Sequence, residues 1–291
     1  MMISGKTKVY GILANPVEHS LSPAMHNFWS KQTNKDMVYV PLKVEPGQVK
    51  EAVKGAWAMN LGGMNVTVPY KQQVMEHLSQ IDEDASAIGA VNTLVHAETG
   101  YKGYNTDAKG LLRAIKEKNI EIQGKRWVLL GAGGAAKAAG YILMKEGAKQ
   151  LFILNRSVEK GEALAKELKQ IFGKGEVKAM ALSQWRELPE GRYSCIQSTS
   201  VGMFPDKDHS PIEDSEFFKR IDKAIDIIYT PAETKFMRLV KEAGGAAYNG
   251  LDMLIYQGVI AYELWHPDIK LTMEQVKGAK ALLTSMLEGK L

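Results

Sequence analysis

The sequence predicts an α/β protein divided into two α/β domains, on three observations. Strand-like and helix-like segments alternate from end to end, the pattern of parallel sheets covered by helices. The 291 residues suffice for one large or two ordinary domains with full apolar cores. Near Asp107 a helix leads from one run of strands into a second, which makes that position the domain boundary.

The elements follow in order. KVYGILA (8–14) and MVYVPL (37–42) are apolar, rich in β-branched and aromatic residues, and read as strands. In GMNVTV (63–68), Val66 and Val68 sit at strand spacing, with Asn65 and Thr67 facing the other way. Pro69 suits the first turn of a helix, and Tyr70 to Gln80 then alternate at roughly helical spacing. Lys71 therefore falls at the positive end of a helix dipole, where a cation is disfavoured. AVNTLV (90–95) is the next strand, and a long helix through LLRAIKEKN follows it. The second run comprises WVLLGA (127–132), QLFILN (150–155), EVKAMA (176–181), YSCIQS (193–198), KAIDII (223–228) and GAAYNG (245–250). Two apolar helices, LDMLIYQGVIAYELW and MEQVKGAKALLTSML, come last, and their return to the first domain would make it discontinuous. The expected division is a domain of residues 1–107 and 251–291, with 108–250 as the other.

Composition narrows the function classes. A net charge of +4 without a basic run argues against nucleic acid. The single cysteine, Cys195, excludes an intrachain disulfide, and its place in a strand suggests a buried, inert thiol. No signal-peptide pattern opens the sequence, and no stretch reaches the roughly 18 apolar residues of a membrane span. The expectation is a cytoplasmic protein acting on a small molecule, as monomer or homodimer, without nucleic-acid or membrane partners.

WVLLGAGGAAKAAGYIL carries the strongest motif. An apolar strand runs into Gly131, Gly133 and Ala136 at G-x-G-x-x-G/A spacing, and then into a helix. Gly131 allows the tight turn, Gly133 admits a pyrophosphate against the backbone, and Ala136 lets helix close on strand. The helix N-terminus offers free N–H groups to phosphates. Strand QLFILN ends where an acidic residue would hold the ribose hydroxyl of NAD, but Asn155 and Arg156 stand there instead. The always-charged fork of Arg156 suits a 2′-phosphate, so NADP is the expected cofactor, with Lys160 offsetting Glu159 nearby.

HSLSPAMHN (19–27) sets two serines before Pro23 at a helix start, a site for a carboxylate or a simple cap by Ser22. His19 and His26 lack metal-ligand spacing, and local hydrogen bonding or packing is the expected use of each. AVNTLV and GYNTDAKG contribute Asn92, Asn105, Thr106 and Asp107 at strand and loop ends.

Taken together, HSLSP, NVTVPYK, AVNT, YNTD, GAGGAA, NRS, IIYTP and NGLDMLIYQG occur in the order seen in shikimate dehydrogenases, and the resemblance spans residues 9 to 265. It implies a discontinuous substrate-binding domain completed by the C-terminal helices, and a Rossmann-like domain for NADP. The implied reaction is the reversible reduction of 3-dehydroshikimate to shikimate. Position by position, Ser20 and Ser22 match residues binding the substrate carboxylate. Thr67, Asn92 and Gln257 match those binding ring hydroxyls or the carboxylate, and Tyr229 a substrate contact beside the nicotinamide. Lys71 and Asp107 match the catalytic pair. On the cofactor side the match covers Gly131, Ala132, Gly133, Gly134, Ala135, Asn155, Arg156, Lys160 and Gly250. Ser157 and Leu111 depart from the usual threonine and phenylalanine.

The resemblance gives Lys71 a purpose. Hydride addition to a ketone leaves negative charge on oxygen, which needs a positioned proton donor, and Asp107 would offset the unfavourable helix position. Two alternatives remain: a quinate/shikimate dehydrogenase using NAD or NADP, and a non-catalytic NADP-binding sensor on the same fold. The sensor has no need of a Lys71–Asp107 pair.

Overall fold

The computed structural model describes residues 3–173 and 175–290, and within them two six-stranded sheets form. The first run consists of β1 (Lys8–Ala14), α1 (Ser22–Gln32), β2 (Met37–Lys43), α2 (Val49–Ala58), β3 (Gly63–Val66), β4 (Gln80–Ile81), α3 (Glu83–Ile88), β5 (Thr93–Ala97), β6 (Gly100–Tyr104) and α4 (Thr106–Glu117). The second consists of β7 (Arg126–Leu130), α5 (Gly134–Lys145), β8 (Gln150–Asn155), α6 (Val158–Phe172), β9 (Glu176–Ala181), β10 (Tyr193–Gln197), α7 (Ser215–Phe218), β11 (Ile221–Asp226), α8 (Lys235–Glu242) and β12 (Ala246–Tyr248). Two helices follow, α9 (Leu251–Trp265) and α10 (Met273–Leu287). Contacts divide the chain into two units: one reaches to Gly110 and resumes at Ile255, and the other runs Leu111–Leu254.

In the first unit the strand order is β2-β1-β3-β5-β6-β4. β1 runs parallel to β2 and β3, but β5 is antiparallel to both β3 and β6. The sheet is therefore mixed, not parallel as the alternation predicts. Two strands lie outside the sequence expectation, the two-residue β4 and β6, GYKGY, whose inward positions are Tyr101 and Gly103. A glycine facing the core leaves no apolar alternation to read, yet Leu78 and Val91 occupy the space its side chain would need. The last helices do return to this unit. Trp265 Nε1 donates to the Leu94 carbonyl at 2.9 Å, and Trp29 Nε1 to the Gln275 carbonyl at 3.1 Å.

The helix expected from Tyr70 to Gln80 does not form. β3 ends at Val66, Val68 is 69% exposed, and residues 68–72 turn before a five-residue 3-10 helix, Gln73–His77. Long-range partners impose this shape. The Lys71 carbonyl accepts the Val91 N–H at 2.9 Å, and the buried Tyr70 hydroxyl donates to the Val44 carbonyl at 2.6 Å. A carbonyl bonded to a neighbouring segment is lost to a helical ladder.

In the second unit every pairing is parallel, in the order β12-β11-β10-β7-β8-β9. Counted within the unit this is 6-5-4-1-2-3, the doubly wound arrangement, with its reversal between β7 and β10. Trp127, Val128, Leu129 and Leu130 are wholly buried, as a central strand covered on both faces requires. Cys195 is buried beside them on β10, and burial pushes its thiol up. Among the described residues no helix is long and apolar enough to cross a membrane.

Candidate functional site

In the first unit, Lys71 and Asp107 meet. Lys71 Nζ donates to Asp107 Oδ2 at 2.6 Å, with the two side chains 28% and 15% exposed. The positive helix end belongs to Asp107, not to Lys71. Asp107 lies in the first turn of α4, where an acidic side chain is favoured. Asn105 caps that helix, its Oδ1 accepting the Ala108 N–H at 3.1 Å. The ground for singling out Lys71 thus changes, while its partner is the residue the sequence suggests.

A separate hydrogen-bonded chain of polar residues starts at Thr106, the residue before Asp107. Asn92 Oδ1 accepts the Thr106 N–H at 2.7 Å, and Asn92 Nδ2 donates to Thr106 Oγ1 at 3.0 Å. Asn65 Nδ2 reaches the Asn92 carbonyl at 3.2 Å and Thr93 Oγ1 at 3.1 Å. Asn65 Oδ1 in turn accepts the Tyr39 hydroxyl at 2.8 Å. Burial pushes that phenol well above the ordinary tyrosine range, with Ser22 beside it pulling the other way. The chain thus links Ser22 on α1 to Thr106, the residue before Asp107. Tyr39 and Asn65 were not singled out in sequence. Each sits on a strand that reads as core, and only strand order brings the two together.

Ser22 is the first residue of α1 and makes no cap bond. Ser20 Oγ accepts the Ser22 N–H at 3.3 Å, so the two hydroxyls are neighbours at the helix start. Thr67 opens the Lys71 turn, its carbonyl accepting the Tyr70 N–H at 2.9 Å. Gln257 lies buried on α9, which comes close to α4 at Gly110; a side chain there would approach the Gln257 nitrogen to 2.6 Å. His26 is a packing group, stacked on Tyr39 at 4.4 Å, and burial lowers its pKa to about 3.

The second unit carries the glycine turn between β7 and α5. Gly131 has φ +109, and a side chain there would meet Ser198 Oγ at 2.7 Å. Gly133 and Gly134 are exposed, and a side chain built on either would meet nothing within 4 Å. Ala132 and Ala135 are half-buried, and Ala136 is fully buried against the sheet. No side chain caps α5, so its first N–H groups face open space, as a phosphate requires. Asn155 Nδ2 donates to the Ser157 carbonyl at 2.8 Å, shaping the turn that presents Arg156. Arg156 and Lys160 are exposed and pair with no carboxylate among the described residues. Glu159 accepts the Ser157 hydroxyl at 2.7 Å, and that bond holds its carboxyl below the usual range. These residues fit a nucleotide bearing a 2′-phosphate. Tyr229 follows β11, its phenol pushed up by burial. The Gly250 N–H donates to the Ile228 carbonyl at 3.0 Å, and a side chain at Gly250 would collide with the Ile227 carbonyl. Among the described residues, no group of His, Cys, Asp or Glu is arranged to hold a metal ion.

Two family models match the chain. Residues 12–94 match the shikimate dehydrogenase substrate binding domain, and residues 113–191 match shikimate / quinate 5-dehydrogenase. The chain is 41% identical to the shikimate dehydrogenase (NADP(+)) of Carboxydothermus hydrogenoformans, covering 91% of this chain and 94% of that relative. A crystal structure of a shikimate dehydrogenase in complex with NADP+ is similar at a TM-score of 0.87 and 38% identity, over 96% of each chain. The shikimate 5-dehydrogenase of Listeria monocytogenes in complex with shikimate and NAD gives 0.89 and 30%, over 97% of this chain and 98% of that one.

Proposed function

Since the chain belongs to the shikimate dehydrogenase family, we propose that it catalyses the NADP-dependent, reversible reduction of 3-dehydroshikimate to shikimate. The observation that carries this reading is the Lys71–Asp107 pair at 2.6 Å, beside the Asn92–Thr106 bonds. NADPH, when bound, would supply the hydride to the ketone carbon and leave as NADP+. Lys71 Nζ gives a proton to the oxygen on which negative charge develops, and takes it back in the reverse direction. Asp107 holds the ammonium in place and balances its charge. Ser20 and Ser22 bind the substrate carboxylate. Asn92, Thr67 and Gln257 orient the ring hydroxyls, Asn92 being fixed by its bonds to Thr106, and Tyr229 adds a substrate contact.

On the cofactor side, residues 131–135 and the N-terminus of α5 receive the pyrophosphate, with Asn155 and Gly250 shaping its surroundings. Arg156 and Lys160 hold the 2′-phosphate. An intact acid–base pair speaks against a non-catalytic sensor.

A steady-state assay of shikimate and quinate, each with NADP and NAD, tests the reading. The highest kcat/KM is expected for shikimate with NADP. Quinate oxidised with NAD at equal or higher kcat/KM would move the chain to the quinate/shikimate branch, and no turnover of either would refute the reading.

A further inference from the structure

At the end of β11, Asp226 is fully buried, and hydrogen bonds alone hold its carboxyl among the described residues. Oδ2 accepts the Thr234 hydroxyl at 2.6 Å. Oδ1 accepts the Ile228 N–H at 3.0 Å and Gln197 Nε2 at 3.3 Å. Each donor is oriented by its other bonds. Thr234 Oγ1 accepts the Met237 N–H at 3.3 Å as the cap of α8, and Gln197 Oε1 accepts the Thr199 N–H at 2.5 Å. Three donors therefore converge on the two carboxyl oxygens of Asp226 at one buried point.

The donors come from three segments: the loop after β10, the turn after β11 and the start of α8. Gln197 Nε2 also reaches the Thr199 and Val201 carbonyls at 3.2 and 3.1 Å, so it sets the course of the β10 loop. The next residue of that loop, Ser198, donates to the Leu130 carbonyl at 2.6 Å and fills the space beside Gly131. The turn after β11 carries Tyr229, and its Ile228 carbonyl receives the Gly250 N–H. A carboxylate at Asp226 is thus the common anchor of the segments flanking the glycine turn. All leave the carboxyl ends of parallel strands, where a doubly wound sheet binds its nucleotide. Beneath them Phe217, Phe218, Phe236, Ile221 and Val240 form an apolar cluster that holds β11 and α8 by packing.

We propose that Asp226 is a positioning residue for the cofactor, holding the 198–203 loop and the Tyr229 turn in their binding-ready form. Its loss weakens NADP binding more than it weakens the fold. The inference rests on the NADP reading above.

Titration of NADPH by its fluorescence at pH 8, with thermal unfolding of each apo protein alongside, tests it. Asp226→Ala is expected to raise the NADPH dissociation constant about 10- to 100-fold, the range of lost bonds to a charged group. Asp226→Asn, which keeps an oxygen for Ile228 and Gln197, should recover most of that affinity. The KM for shikimate at saturating NADP should change less than the NADPH dissociation constant, because, of the segments Asp226 holds, only the Tyr229 turn reaches the substrate. Should Asp226→Ala not fold, Thr234→Val replaces it, with Thr234→Ser as the variant that restores binding. Wild-type affinity in the variants, with only the unfolding temperature lowered, would make Asp226 a staple of the fold and overturn the inference alone. Wild-type protein that fails to bind NADPH would overturn the cofactor reading and this inference with it.

Discussion

Replacing Lys71 by alanine removes the proposed proton donor and leaves the backbone where it is. The Lys71 carbonyl still accepts the Val91 N–H, and Tyr70 still anchors the turn, since neither bond uses the lysine side chain. Loss of a general acid lowers kcat by roughly 100- to 10,000-fold, or about 3–5 kcal/mol of barrier. The KM for shikimate should change far less, because the bond to oxygen matures in the transition state. Asp107 loses a partner 2.6 Å away, but at 15% exposure it keeps some contact with water. Its favourable place in the first turn of α4 remains, so the stability cost should be only about 1 kcal/mol. The assay follows NADPH absorbance at saturating 3-dehydroshikimate, with a deuterium isotope effect showing whether hydride transfer limits the rate. Small primary amines added to the medium should restore part of the activity. A variant within threefold of wild-type kcat, with an isotope effect that marks chemistry as rate-limiting, would refute the assignment.

Arg156→Ala should weaken NADP by roughly 10- to 150-fold, the range of a charge-assisted contact, and leave NAD nearly untouched. The loss should shrink at high salt, since the side chain is exposed, and equal wild-type efficiency with the two cofactors would defeat the argument. Ser22→Ala should raise the KM for shikimate by on the order of 1–3 kcal/mol. Because Ser22 makes no cap bond, the unfolding temperature should hold; a lower one with unchanged KM would revive the cap explanation. Burial raises the Asp226 carboxyl from its ordinary 3.8 to about 7, so between those values the folded state keeps a proton that the unfolded state releases. Stability should therefore fall as pH rises from about 4 to about 7 and then level off, by up to about 4 kcal/mol. Urea midpoints at pH 5 and 8 should differ less in Asp226→Asn, and an identical difference would refute the assignment.

How much of this was legible in sequence depends on whether the deciding partner is near in the chain. β1, β8, β9, α9 and α10 occupy the residues that periodicity assigns them, because burial of one stripe or one face is a local pattern. β6 escaped because Gly103 faces the core where an apolar residue would announce a strand. The helix expected after Pro69 failed for the opposite reason: its pattern is helical, but Val91, twenty residues on, takes the carbonyl of Lys71. The glycine turn was legible because each small residue answers a local demand, such as the φ of +109 at Gly131.

The polar interior was the least legible part. Tyr39 reads as one more apolar residue of its strand, while Asn65, Gln197 and Asp226 read as interruptions of an apolar run. They join two separate networks, Tyr39 with Asn65 in one unit and Gln197 with Asp226 in the other, only when β3 lies beside β1 and β5, and β10 beside β11. Lys71 stood out because a cation at a helix start contradicts a local rule, yet its conformation removes the contradiction. The helix start belongs to Asp107, so the pair is assembled by an acid at its favoured place and a lysine held on a tethered turn. Such a lysine depends little on helix propensity and much on Val91 and Val44, the two partners that fix its backbone. That division of labour lets the proposed proton donor be exchanged by mutation while the turn persists, which is why Lys71→Ala can report chemistry separately from folding.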